Sequence, residues 1–157
     1  MNTPNPTPQY WIGVASKNHV ATVTELGICQ FCHGKPGPAK RLKKGDFVIY
    51  YSPKVTMNGA ESYQKFTAIG SVQDSSPYQV EQAPGFMPFR RNIKYFEFTH
   101  ADIKPLIQSL AFIQNKQSWG YVFRYGFFAI DEESFKAIAH AMLGYIPQPS
   151  DTQTTFL

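Results

Sequence analysis

QYWIGVASKNHVATVTELG, residues 9–27, contains a strand, a helix cap and a helix in succession, and it decides how the rest of the chain is read. Residues 9–15 are apolar and rich in aromatic and β-branched side chains, which predicts a strand with Trp11 in the core. Ser16 is suited to an N-cap, because its hydroxyl can accept one of the unpaired N–H groups of the first turn. Residues 17–26 then read as a short helix that ends at Gly27.

Working outward, the sheet signal recurs. Strands are predicted over residues 27–33, 46–52, 64–74, 91–99 and 127–130. Between the second and third lies GKPGPAKRLKKGD, whose Gly and Pro content predicts a loop with one helical turn. Asn58-Gly59 marks a turn, PGFMPF an irregular loop, and residues 103–110 a short helix that tolerates Pro105 only in its first turn. Asp131 caps a last helix over EESFKAIAHAML, with acids in the first turn and Gly144 as its stop. Many strands and few helices predict an α+β fold, a mixed sheet curled into an open barrel.

The chain has 157 residues, a length suited to one domain. Residues 1–8 and 144–157 read as flexible leader and tail around a domain at 9–143. The MNTPNPTPQ opening has neither the positive n-region nor the apolar h-region of a signal peptide, and no run is apolar enough to span a membrane. The expectation is a cytoplasmic protein with Cys29 and Cys32 reduced.

Aromatic residues make up 15% and the net charge is +4. Lys35, Lys40, Arg41, Lys43, Lys44 and Lys54 are opposed in their stretch only by Asp46, and Arg90, Arg91, Lys94, Lys104, Lys116 and Arg124 by Glu97 and Asp102. Brought together, the two groups would make a face that attracts phosphates.

Cys29-Gln30-Phe31-Cys32-His33 matches the C-x-x-C-H pattern of haem attachment. In a strand, however, residues three apart face opposite sides, so both thiols would not reach one cofactor. Two cysteines and four scattered histidines make no finger-like zinc set. Phosphate-loop, nucleophile-elbow and base-deaminase motifs are absent. The expectation is a binding protein with no cofactor, no metal and no catalytic residues. An enzyme using Cys32, His33 or Lys35 and a sensor that binds a small metabolite are the alternatives.

Several segments in one order resemble the EVE family, which is related to PUA and YTH domains. They begin with Tyr10-Trp11-Ile12-Gly13-Val14-Ala15-Ser16, Cys32-His33-Gly34-Lys35, Leu42-Lys43-Lys44-Gly45-Asp46 and Tyr50-Tyr51-Ser52-Pro53. Phe66-Thr67-Ala68-Ile69-Gly70, Ala83-Pro84-Gly85-Phe86 and Phe89-Arg90-Arg91 follow. The last are Ile103-Lys104-Pro105-Leu106, residues 110–116, Trp119-Gly120 and Phe123-Arg124-Tyr125-Gly126. The resemblance implies a PUA-like open barrel of five to six mixed strands with short flanking helices. It also implies a nucleic-acid-binding module, for DNA or RNA, that reads a modified base; in YTH domains an aromatic cage holds a methylated adenine.

A base in such a pocket needs stacking on its faces, hydrogen bonds at its polar edge and cations for the flanking phosphates. Trp119, Tyr121 and Phe112 are the candidate walls. Ser16, His33, Tyr50 and Ser52 are the candidate polar contacts, and Lys35, Arg90, Lys116 and Arg124 the candidate phosphate contacts.

Overall fold

A computed structural model describes residues 7–149. Its main strands are β1 (Tyr10–Val14), β2 (Ile28–Cys29), β3 (Phe47–Lys54), β4 (Ser62–Val72), β6 (Phe89–Tyr95) and β8 (Phe127–Ile130). Two short strands, β5 (Tyr78–Gln79) and β7 (Ala101–Asp102), attach to β6 and β4. The main order is β2-β6-β4-β3-β1-β8. β1 runs parallel to β3, and the other pairs are antiparallel. This is a mixed sheet curled into a half-barrel, consistent with a PUA-like α+β fold.

Both faces of the sheet are covered, which explains why FVIYYS on β3 is a continuous apolar run. Phe47, Ile49 and Tyr51 belong to one core, while Val48 and Tyr50 alternate into the other. Helix α3 (Glu132–Leu143) supplies Phe135, Ile138, Ala139 and Met142 to the first core. Helix α1 (Lys17–Leu26) supplies Val20 and Val23 to the second. Trp11 is buried in that second core as expected, stacked on Phe127 at 4.9 Å, and its indole N–H donates to Asp46 at 3.0 Å.

α1 and α3 form where their caps predict. Ser16 Oγ accepts the His19 N–H at 3.2 Å, and Asp131 accepts the Ser134 N–H at 3.0 Å. The strand predicted over residues 27–33 stops at Cys29 instead. The chain then enters a tight turn, Cys32–Gly34, in which Cys32 and His33 have φ of 50° and 61°. The following Gly/Pro segment forms α2 (Pro36–Arg41), started by proline in its first turn.

Arg91 is not part of a basic surface. It is 1% exposed, and its guanidinium donates to the Asp74 carboxylate at 2.7 Å and to the carbonyls of Asp74, Ala39 and Leu42. It locks α2 against β6. Asp46 is likewise no surface counter-charge, because the Gln9 and Lys43 N–H groups and the Trp11 indole all bond to it. Residues 1–6 and 150–157 of the proposed leader and tail lie outside the described residues.

Candidate functional site

Two clefts stand out. The first, of about 340 Å3, opens at the junction of β1 and α1, with walls from Val14, Ala15, Pro53 and Met57. Ser16, His19, Gln30 and His33 place polar groups around it, and Lys54 stands at its edge. No acidic residue is among its described lining residues.

Gly13 makes this geometry accessible. A Cβ there would lie 2.0 Å from Phe31 Cε1, so glycine lets the Phe31 ring press directly on β1. The next two residues, Cys32 and His33, line the cleft together with Val14 and Ser16. Both adopt left-handed backbone, which costs a side-chain-bearing residue about 1–2 kcal/mol. Strain of this kind is tolerated where a local shape is needed.

The polar groups are held in place. Ser16 Oγ already accepts from the helix, which leaves its O–H proton as a donor. Gln30 Oε1 accepts from Arg90 Nε at 2.6 Å, and Gln30 Nε2 donates to Gln82 at 3.0 Å. An amide has two N–H donors and two acceptor lone pairs, so one of each remains. Burial pushes the His19 imidazole below its ordinary pKa; a hydrogen bond with the Gln30 backbone pulls it up and nearby His33 pushes it down. The Tyr50 hydroxyl accepts the Gln30 N–H at 3.1 Å, beneath this layer. Burial, and secondarily Cys29, raises Tyr50 well above the ordinary phenol range, keeping it neutral.

The second cleft, of about 370 Å3, is lined within residues 112–125 by Phe112, Trp119, Tyr121 and Tyr125 together with Asn115 and Ser118. Tyr121 and Tyr125 are 59% and 68% exposed and meet edge to face at 6.5 Å. The Arg124 guanidinium lies 5.1 Å from the Tyr121 ring centre.

The predicted contacts are thus divided. Ser16 and His33 line the first cleft, and Phe112, Trp119 and Tyr121 the second. Tyr50 lies below the first cleft, because the side chain that reaches Gln30 is fully buried. Ser52 does not reach either cleft; it is sealed in the sheet, 2.8 Å from the Thr67 hydroxyl. The register shifts opposite Tyr50/Tyr51, where β4 carries Thr67 as the extra residue.

Among the cation candidates, Lys35 and Arg124 are exposed. Arg90 is half-buried and bonded to Gln30 and Gln82 at the edge of the first cleft. Lys116 does not serve as a free phosphate contact. Its ammonium donates to the carbonyls of Ile107 and Leu110 at 3.1 and 2.7 Å, closing the short helix at Lys104–Ser109.

Sequence reasoning missed His19 and Gln30, and had Lys54 only as a member of the first basic group. His19 carried a usable signal, since it is the third residue after the Ser16 cap; Gln30 had none, because its role depends on Arg90 sixty residues away. In the C-x-x-C-H segment, Cys29 is sealed in the core and Cys32 lines the cleft. Among the described residues no three His, Cys, Asp or Glu side chains gather as a metal site, and no helix is long and apolar enough to cross a membrane.

Comparison with known proteins places the chain in a family. The chain is 42% identical over 133 residues to a UPF0310 protein of Mycolicibacterium vanbaalenii, covering 85% of this chain and 92% of that one. It is 44% identical over 128 residues to a UPF0310 protein of Bacillus licheniformis, covering 82% and 87%. A crystal structure of an Agrobacterium tumefaciens protein shares the fold, with TM-score 0.54 and 14% identity over 90% of this chain and 97% of that one. A hypothetical protein from Leishmania major gives TM-score 0.52 at 11% identity, over 85% and 94%. The EVE domain model matches residues 9–141, and the chain belongs to the EVE domain family.

Proposed function

We propose that this protein is a nucleic-acid-binding module that takes one modified base into the first cleft. The observation that carries this reading is the cleft itself, a cavity of about 340 Å3 with apolar sides and fixed hydrogen-bonding groups. A concave site with a few placed polar groups is what a small heterocycle requires. The His19 and His33 imidazoles supply ring faces for stacking, a role histidine shares with the other aromatics. The Ser16 hydroxyl and the unused half of the Gln30 amide are available to the polar edge of the base.

The phosphates flanking that base would meet Lys54, Lys35 and Arg90. The ring surface of the second cleft, with Arg124 over Tyr121, suits an unpaired base elsewhere on the same strand, where stacking contributes about 1–3 kcal/mol per base. No catalytic residue is assigned.

The test is a titration with short oligonucleotides that carry methylated adenine, methylated cytosine or hydroxymethylated cytosine, at several salt concentrations. The expected result is preference for one modification and affinity that falls as salt rises, because cation contacts to phosphate release counterions. Equal, salt-insensitive weakness toward all of them overturns the reading. Native mass spectrometry of freshly purified protein separates it from the metabolite-sensor alternative: a retained small molecule that oligonucleotides do not displace favours the sensor.

A further inference from the structure

The loop between β5 and β6 ends in two large apolar side chains that the core does not use. Phe86 is 38% exposed and Met87 47%. They sit on a built turn. The Gln82 N–H donates to the Phe86 carbonyl at 2.9 Å, and the Phe86 N–H to the Ala83 carbonyl at 2.8 Å. Gln79 Nε2 holds the Met87 carbonyl at 3.0 Å.

Two independent contacts fix this turn beside the first cleft. On one side the Gln82 amide accepts from Gln30, a wall of the cleft, and from Arg90. On the other, Pro88 packs on Gly34 at the end of the turn that carries Cys32 and His33. A Cβ on Gly34 would lie 2.3 Å from Pro88 Cβ, and its φ of +77° suits glycine. Both contacts fall on the 30–34 segment that borders the cleft: Gln30 holds the start of the turn and Gly34 meets the residue after Met87.

A base drawn out of a duplex leaves a gap and two unstacked neighbours. Proteins that open base steps commonly insert Phe, Leu, Ile, Met or Pro there. We propose that the Phe86–Met87 tip is such a wedge, entering the duplex at the position vacated by the base held in the cleft. The inference rests on the base-binding reading of that cleft. Glu81 is exposed on the same stem, so the contribution of the tip is insertion rather than charge attraction. The tip deepens the reading in one respect: it makes double-stranded nucleic acid the substrate form that the protein is built to open.

The test uses the full chain and two probes of one sequence, each with a single methylated or hydroxymethylated base of the kind preferred in the salt titration. One probe is single-stranded and the other is its duplex, with 2-aminopurine next to the modified base to report unstacking. Phe86→Ser with Met87→Ser is expected to weaken duplex binding roughly tenfold or more and abolish the 2-aminopurine rise, leaving single-strand affinity within about twofold. Phe86→Leu, which keeps apolar bulk, is expected to retain most of both signals.

Equal losses on the two probes, or an unchanged duplex affinity, overturn the wedge while leaving the cleft reading intact. A wild-type protein that distinguishes no modified base on either probe removes the cleft reading, and the wedge with it.

Discussion

The two clefts are built in opposite ways. The second comes from one continuous run, residues 112–125, and displays aromatic rings to solvent. The first gathers residues from β1 and α1, from the turn at residues 30–33 and from the end of β3, and its hydrogen-bonding groups are fixed by partners far away in the chain. Rings on one segment are visible in a sequence; a set of converging polar groups is visible only after folding. The contrast also separates roles. A surface of rings favours stacking without choosing among bases, whereas fixed donors and acceptors can discriminate a base edge.

The largest way to break this contrast is at Gly13. Gly13→Ala would drive a methyl into the Phe31 ring, and overpacking of this kind is expected to cost about 2–3 kcal/mol in urea unfolding. Because Phe31 leads into Cys32 and His33, base discrimination should fall with it, while the NMR shift of the Trp119 indole N–H in the folded variant stays near wild type. A normal stability would mean that Phe31 moves freely and does not anchor the cleft wall.

Lys116→Met comes next. It removes the ammonium from the Ile107 and Leu110 carbonyls, each of which keeps one backbone donor, and is expected to cost about 1.5 kcal/mol. The salt slope of oligonucleotide binding should be unchanged. A shallower slope at normal stability would restore Lys116 to the phosphate contacts.

His33→Gly should act in the other direction on stability. Glycine accepts φ of 61° without strain, so unfolding free energy is expected to rise by about 1 kcal/mol while base binding weakens. A variant that is more stable and binds equally well would place His33 outside the contact set.

The smallest effect is the pH dependence of stability. His19 and His100 are both held below their ordinary value of 6.5, His19 chiefly by burial and His100 by burial together with Lys17 and Lys65. The folded chain then binds fewer protons than the unfolded chain in this range. The stabilisation is present above 6.5 and is lost as pH falls from there through the lowered folded-state values. Replacing His19 with Gln should flatten part of that fall in thermal melts, and replacing His100 another part, independently. Identical melting curves against pH for His19→Gln and wild type would contradict the burial of this ring.

Much of the fold was legible because its signals are local. Ser16, Gly27, Asp131 and Gly144 bound two helices where their capping chemistry says they should, and the FVIYYS run marks the central strand. The strand predicted beyond Cys29 failed because tertiary contact won: Phe31 packs on Gly13, and the chain turns at Cys32 to allow it. The site was legible only in fragments. Ser16 and His33 were visible from the cap and the family-like turn, whereas alternation along β3 says nothing of the Thr67 hydroxyl that seals Ser52 in the sheet. Arg90 and Arg91 are adjacent and identical in type, yet one holds Gln30 at the cleft and the other is buried on Asp74. Only the direction of each side chain on β6 separates them.

The central claim, that the first cleft takes the base, is tested most directly by amide NMR of the protein titrated with a short oligonucleotide carrying one modified base. The account predicts saturable shifts at Ser16, His19, Gln30 and His33 that the unmodified oligonucleotide fails to reproduce. Shifts confined to residues 112–125, or the same pattern with and without the modification, would contradict it.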